Sequence, residues 1–129
     1  MIHLGDNLKE LEEIVNKLNV LDAHNNEVIY ESKNDGTIIG LGLFKDKYIA
    51  VQRAFISKGT ISTLHDHKET EYLIVYKGKV EMEVSGLTYV LGVEDRIRIK
   101  SHLPHTCEAL EDTWLIAITI PASEEFPDA

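Results

Sequence analysis

The chain has 129 residues, of which 43% are hydrophobic and 27% are charged, a composition typical of one folded globular domain and not of a disordered chain. Acidic residues outnumber basic ones by 22 to 13, which leaves a formal net charge of -9. Because this charge repels phosphate backbones and anionic lipid surfaces, we expect neither a nucleic acid nor a membrane as a partner.

The first predicted element is an amphipathic helix over residues 6–20. Its apolar residues recur every three to four positions, at Leu8, Leu11, Val15 and Leu18. This spacing places them on one helical face, and Asp6 or Asn7 can cap the N-terminus. We expect the helix to pack against the rest of the domain.

Three features of the sequence indicate where in the cell the protein is located. Residues 1–6 lack the basic and apolar segments of a signal peptide, and no apolar run reaches the roughly 20 residues that span a bilayer. The single cysteine, Cys107, cannot form an internal disulfide, which fits a reducing compartment. The sequence therefore predicts a cytoplasmic protein.

Short β-branched and aromatic runs follow the Asn25-Asn26 turn, separated by Gly, Asn, Asp and Ser. They predict strands over residues 27–31, 37–44, 48–57, 60–65, 71–76, 79–84, 87–91, 96–99 and 113–120. Glycine at Gly78 and at Ser85-Gly86 marks tight reversals. Many short strands in close succession predict an all-β sandwich or barrel, and residues 121–129 read as a loose acidic tail.

The polarity of the strands differs along the chain. Val80, Met82 and Val84 alternate with charged residues, so that strand should have one wet face. Residues 71–76 and 114–120 are apolar on both faces, so their outer side should be covered by a second sheet, the helix or a partner subunit. The last option predicts a homodimer.

The residues that carry chemistry are His65, His67, Glu71 and His105. On an extended chain His65 and His67 project to the same side, and Glu71 opens the next strand. His105 can close the set from a distant strand. Three imidazoles and one carboxylate favour a divalent Fe, Mn, Ni, Co or Zn ion over magnesium or calcium. The alternatives are surface histidines at a strand end, or a barrel that keeps the ligands but binds metal weakly.

The segment from Gly59 to Gly78 resembles the first motif of the cupin superfamily: Gly, five residues, His-x-His, three or four residues, Glu, six residues, Gly. Every fixed position is met. The resemblance implies a double-stranded β-helix, or jelly-roll barrel, over residues 48–120, with the metal near the middle of its cavity. The whole chain, 1–129, would then be a single cupin domain.

The second cupin motif reads Gly, five residues, Pro-x-Gly, two residues, His, three residues, Asn, and here only His105 matches. Glu94 and His102 take the two glycine positions, Lys100 takes the proline and Ala109 the asparagine. We therefore expect the turn before His105 to be built differently from that of the family.

Four further residues lie near these motifs. His102 reads as a solvent-facing loop histidine, with a proton-shuttle role as the alternative. Cys107 shares the strand parity of His105 and reads as a buried, inert hydrophobe. Gln52 and Arg53 are the polar groups that precede the first motif, and they are candidates to orient an anionic or hydroxylated ligand.

Two functions fit these features. The first is a metal-dependent enzyme of oxygenase, isomerase or decarboxylase type, acting on a small oxygenated organic molecule. The second is a non-catalytic module that binds or senses a small ligand such as a sugar or a carboxylate. A transcription factor is set aside, because the sequence offers one helix and no basic helix-turn-helix.

Overall fold

The computed structural model describes residues 26–128, so the helix predicted over residues 6–20 lies outside the described chain. The described residues form nine strands in two sheets. The strands are β1 (Glu27–Tyr30), β2 (Ile38–Lys45), β3 (Ala50–Ile56), β4 (Thr70–Lys77), β5 (Val80–Val84), β6 (Leu87–Leu91), β7 (Arg96–Ile99), β8 (His105–Ala109) and β9 (Thr113–Ile120).

The two sheets form the barrel that the sequence predicts. One sheet has six strands in the order β1-β2-β3-β9-β4-β7, and the other has three in the order β6-β5-β8. Every named pair is antiparallel. A single buried cluster draws side chains from both sheets, so the core lies between them. The fold is a double-stranded β-helix, and among residues 26–128 no helix has the length and apolarity needed to cross a membrane.

The alternating strands have the predicted wet and dry faces. Val80, Met82 and Val84 are buried in the core, while Glu81 and Glu83 point away from it. The Ser85-Gly86 reversal joins β5 to β6 with positive φ at both residues (48° and 82°), as a two-residue hairpin turn requires. The prediction of these elements is confirmed.

Strands β4 and β9, which are apolar on both faces, bury their second face in a separate cluster. This cluster is formed by Leu43, Ile74, Ile116 and Ile118. Because Ile116 and Ile118 alternate along β9 with the core residues Leu115 and Ala117, this cluster lies on the face turned away from the three-stranded sheet. The three-stranded sheet therefore does not cover these residues. Of the three covers expected from the sequence, the predicted helix and a partner subunit remain.

The strand predicted over residues 60–65 is wrong. This segment makes only isolated bridges, at Ile61, Ser62 and His65. Most of its backbone hydrogen bonds go to β8, as from Ser62 N to Cys107 O, but Ile61 O accepts from Lys33 N instead. The segment therefore runs beside β8 but pairs with it only through interrupted bridges and forms no continuous ladder.

The barrel also begins earlier and ends later than predicted. Strands β1 and β2 extend the six-stranded sheet ahead of residue 48. Residues 121–128 are not a loose tail, because Phe126 is buried in the core. Lys45 Nζ donates to Phe126 O at 2.7 Å, and Asn26 Nδ2 donates to Asp128 O at 3.0 Å. One apolar side chain and these hydrogen bonds hold the acidic segment on the barrel.

Candidate metal centre

The structure brings together all four predicted ligands. His65 and His67 lie on the segment that leads into β4, Glu71 is the second residue of β4, and His105 is the first residue of β8. One candidate ligand atom from each residue lies within 4.8 Å of the others. The predicted convergence of these side chains is what the structure shows, and the group could hold a metal ion.

Backbone pairing explains why two distant histidines meet. His105 N donates to His65 O at 2.9 Å, and His65 N donates to His105 O at 3.3 Å. This reciprocal pair makes the two residues direct cross-strand neighbours, and their rings lie 4.2 Å apart, centroid to centroid. This one bridge therefore brings together two residues that are 40 positions apart in the sequence.

All three imidazoles are held in the same tautomer. Nδ1 of His65 donates to Thr63 O, Nδ1 of His67 donates to Glu69 O, and Nδ1 of His105 donates to Leu103 O, each at 2.8 Å. Because Nδ1 is fixed as a donor, each ring in its neutral form presents the Nε2 lone pair to a cation. A carbonyl partner on the far nitrogen is the usual support for a metal-binding histidine.

Glu71 supplies the negative charge of the cluster. Its Oε1 lies 3.1 Å from His67 Nε2 and 3.4 Å from His105 Nε2. Burial alone would raise the pKa of this carboxyl, but the adjacent imidazoles of His105 and His67 outweigh it and lower the pKa to about 2. The Glu71 hydrogen bond in turn raises the pKa of His67 to about 9, against the smaller effect of burial. A cation and a proton therefore compete for the same atoms.

His105 Nε2 shows that the cluster fits a cation. Among residues 26–128 it is the one enclosed side-chain nitrogen or oxygen that makes no hydrogen bond of normal geometry, and Glu71 Oε1 lies 3.4 Å from it. A buried polar atom left unpaired costs about 1–3 kcal/mol, so a partner is expected there. A dication at the centre of the four ligand atoms would satisfy it, and three imidazoles with one carboxylate suit a borderline transition metal.

A cavity of about 260 Å³ adjoins the cluster. Its walls are mostly apolar core residues, including Leu73 of β4 and Leu115 of β9. The Tyr30 hydroxyl donates to Gln52 Oε1 at 2.8 Å and also lies 3.1 Å from Glu125 O. Sequence reasoning missed Tyr30 and the C-terminal segment as parts of this cavity. The one signal was an aromatic residue, Phe126, inside an otherwise acidic tail.

The other candidate residues separate into two groups. Gln52 lines the cavity, whereas Arg53 lies on the opposite face of β3, with its guanidinium carbon 4.9 Å from the Trp114 ring centroid. Arg53 therefore does not orient a ligand in this cavity. Cys107 is buried and lines the cavity, and its burial raises the pKa of the thiol to about 12. His102 is exposed on its loop, as predicted.

The loop before His105 has two non-glycine residues in left-handed backbone. Glu94 has φ 74° and His102 has φ 62°, and these are the two positions where the family motif has glycine. Gly59 and Gly78 of the first motif have φ 85° and 97°. Both loops thus use left-handed backbone at the motif's glycine positions, although the second does so without glycine. The departure from the family motif at these two positions lies in the residue types, Glu and His in place of glycine.

The profile of the Cupin domain family matches residues 53–121, more than half of the chain. Together with the barrel, this match shows that the chain belongs to the cupin family. None of the curated proteins matches this sequence.

Solved structures show the same fold. An RmlC-like cupin from Shewanella frigidimarina superposes with a TM-score of 0.69 at 21% identity, over 78% of this chain and 88% of that one. KdgF from Halomonas sp. gives 0.67 at 20% identity, over 76% and 89%. A predicted oxalate decarboxylase from Thermotoga maritima gives 0.67 at 17% identity, over 78% and 96%. At these identities the similarity concerns the fold alone.

Proposed function

We propose that this cupin binds one divalent Fe, Mn, Ni, Co or Zn ion through His65, His67, Glu71 and His105, and acts with it on a small oxygenated organic molecule. The observation that carries the proposal is the arrangement of the three imidazoles. Each has its Nδ1 on a backbone carbonyl, and their Nε2 atoms converge with one carboxylate beside a cavity.

When bound, the ion would supply Lewis acidity and open coordination positions next to the cavity. Four protein ligands on an octahedral ion would leave about two positions for substrate or water. The chain's own contribution is to orient the imidazoles, to supply one compensating charge at Glu71, and to exclude water with the apolar walls.

The reaction types that suit such a centre are oxygenation, isomerisation and decarboxylation. One structural neighbour is described as a predicted oxalate decarboxylase, which supports keeping the last type. The Tyr30 hydroxyl and the Cys107 thiol also line the cavity, but burial is the main cause that raises the pKa of each to about 12. Both stay protonated near neutral pH, so neither is a general base.

This shortage of bases favours a second candidate function. The same barrel would bind or sense a small ligand such as a sugar or a carboxylate without turning it over. Oxygen consumption and product analysis on metal-loaded protein, with thermal shifts on the same ligands, separate the two candidates. Turnover supports the enzyme, and binding without turnover supports the sensor.

Elemental analysis of protein purified without added metal tests the centre itself. We expect about one transition-metal ion per chain, and nearly complete loss of it when His65 and His67 are both replaced by alanine. His102→Ala is the matched control, because this imidazole is exposed and lies outside the cluster. A double variant that keeps the wild-type metal content would reject the assignment.

We also propose that the protein is a cytoplasmic homodimer without nucleic-acid or membrane partners. The net charge of -9 supports the absence of these two partners. Partly buried apolar side chains surround the outer cluster of the six-stranded sheet, among them Tyr72, Tyr76 and Ile120, and they support a subunit contact on that face. Sedimentation equilibrium that gives the monomer mass would reject the dimer.

A further inference from the structure

Gln52 has a hydrogen-bonding group left over inside the cavity. The side chain is buried, with 6% of the residue exposed, and its Oε1 accepts the Tyr30 hydroxyl. Among the residues that the structure describes, no acceptor takes a hydrogen bond from Nε2. The Gln52 Nε2 atom is not fully enclosed by the protein, and Gln52 lines the cavity, so this nitrogen is accessible from the cavity. A buried amide donor in this position is available to a ligand oxygen.

The six-stranded sheet places this donor on the same inward face as Glu71, two strands away. Leu73 of β4 is opposite Ala117 of β9, and Ala117 is opposite Gln52 of β3. Gln52 is thus two strand spacings from β4, which is about 10 Å, and it shares the inward face with Glu71. A molecule of about ten heavy atoms or fewer can reach from the cluster toward Gln52.

The charges around the cavity disfavour anions. Three carboxylates line it, those of Glu71, Glu31 and Glu125, and neither lysine nor arginine does so among the described residues. Glu31 and Glu125 are exposed, so water screens their effect to a modest repulsion. The net charge of -9 acts in the same direction. A bound dication brings two positive charges against these three carboxylates, so no positive charge is left over to pair a dianion.

We infer that the cavity takes a small chelating molecule that is uncharged in solution, such as a hydroxyketone, and that Gln52 is the residue that selects it. The inference rests on the proposed function, because the chelating oxygens bind the metal. The Gln52 amide donates to an oxygen at the far end of the molecule, and dicarboxylates are poor ligands. Gln52 acts by positioning the ligand and takes no part in bond making.

Visible spectra of the Co(II)-loaded protein provide the test, because ligands that enter the cobalt sphere change its d–d bands. The probes are maltol, a hydroxyketone that is uncharged at pH 7, and oxalate, a dianion with a similar chelating geometry. For each probe the affinity for the protein is divided by its affinity for aqueous Co(II). We expect this normalised affinity to favour maltol over oxalate by about tenfold or more.

Two variants assign the preference to residues. Gln52→Met keeps the volume but removes the donor, and should weaken maltol about tenfold, the effect of one buried hydrogen bond, without changing the Co(II) content. The double variant Glu31→Gln with Glu125→Gln should improve oxalate binding about threefold. Glu83→Gln removes an exposed carboxylate outside the cavity and should change neither probe.

The outcomes are distinguishable. If Co(II) gives no d–d bands, or if His105→Ala keeps them, the proposed function fails and this inference fails with it. If Co(II) binds but the normalised affinities are equal or favour oxalate, the substrate class is wrong while the metal centre stands. If Gln52→Met binds maltol as tightly as the wild type, the selecting role of Gln52 is wrong.

Discussion

The two segments that deliver the histidines meet at one point but are built from different sequences. The first ligand segment, residues 59–78, has glycine at both of its left-handed positions. The second, residues 94–109, has Glu94 and His102 at its corresponding positions and adopts the same backbone. The comparison shows that left-handed backbone at these positions forms both with and without glycine. Glycine lowers the cost of that backbone but is not required for it.

The two segments also differ in burial. In the first, His65 is exposed and its neighbour Leu64 is 70% exposed. In the second, His105 is 3% exposed and Cys107 is 7% exposed, because both side chains point into the barrel interior, where they line the cavity. His65 therefore lies on the solvent side of the cluster, and His105 belongs to its buried wall.

The largest effect expected from this difference is at Cys107. Burial raises the pKa of its thiol from 9.0 to about 12, so at pH 8 the thiolate fraction is about a thousandfold below that of the unfolded chain. Alkylation by iodoacetamide at pH 8, followed by mass spectrometry, should be slower in the folded protein by at least that factor.

The sign of the pH dependence gives a second readout. Below its pKa the thiolate fraction rises about tenfold per pH unit, so the folded rate should still be rising at pH 9.5. Urea-unfolded protein is the control, and its rate should level off near pH 9. A folded protein that reacts as fast as the unfolded chain would show that the second segment is open.

The next effect is on the first segment, at Gly78. A Cβ at this position would lie 2.4 Å from Asp112 O, a backbone atom that cannot move away cheaply, and φ is 97°. We expect Gly78→Ala to lower the free energy of unfolding by about 3 kcal/mol, measured by urea denaturation.

Gly59→Ala is its matched partner, because Gly59 has φ 85° but a Cβ added there would meet no heavy atom within 4 Å beyond its chain neighbours. Gly59→Ala should lower the free energy of unfolding by only about 1 kcal/mol, the cost of a Cβ on left-handed backbone. Equal losses in the two variants would mean that the contact with Asp112 contributes nothing.

The smallest effect is expected in the second segment and has the opposite sign. Replacing Glu94 or His102 by glycine removes the steric cost of a Cβ in left-handed backbone. This gain is partly offset, because glycine loses more conformational entropy on folding. Each variant should gain about 0.5–1 kcal/mol of stability by urea denaturation. Glu94→Ala removes the same charge but keeps Cβ, so it should not stabilise. A gain in the alanine variant as large as in the glycine variant would assign the effect to charge.

Much of the fold was predictable because alternation is a local property. The β5 pattern of Val80, Met82 and Val84 predicted its wet and dry faces, and the Ser85-Gly86 turn predicted its hairpin. Residues 60–65 have the same β-branched character but form no continuous strand, since their pairing with β8 is interrupted into isolated bridges. Strand propensity does not reveal whether a continuous partner exists.

The candidate site was predictable to the extent that its chemistry lies in close spacing. His65, His67 and Glu71 fall within seven residues, whereas His105 lies far along the chain and was predicted only as a histidine that a distant strand could supply. Tyr30 and the C-terminal segment were missed because each reaches the cavity through contacts across about 95 residues of chain. Arg53 and Gln52 are adjacent in sequence, yet their side chains lie on opposite faces of β3.

By itself, the sequence determined the all-β class, the strand faces and the four residues that could hold a metal, because residue type and short spacing carry that information. The tertiary structure decided which atoms meet. The pairing of His65 with His105, the tautomers held by three carbonyls, the inward turn of Gln52 and the seating of Phe126 all depend on contacts between distant segments, and such contacts exist only once the barrel closes.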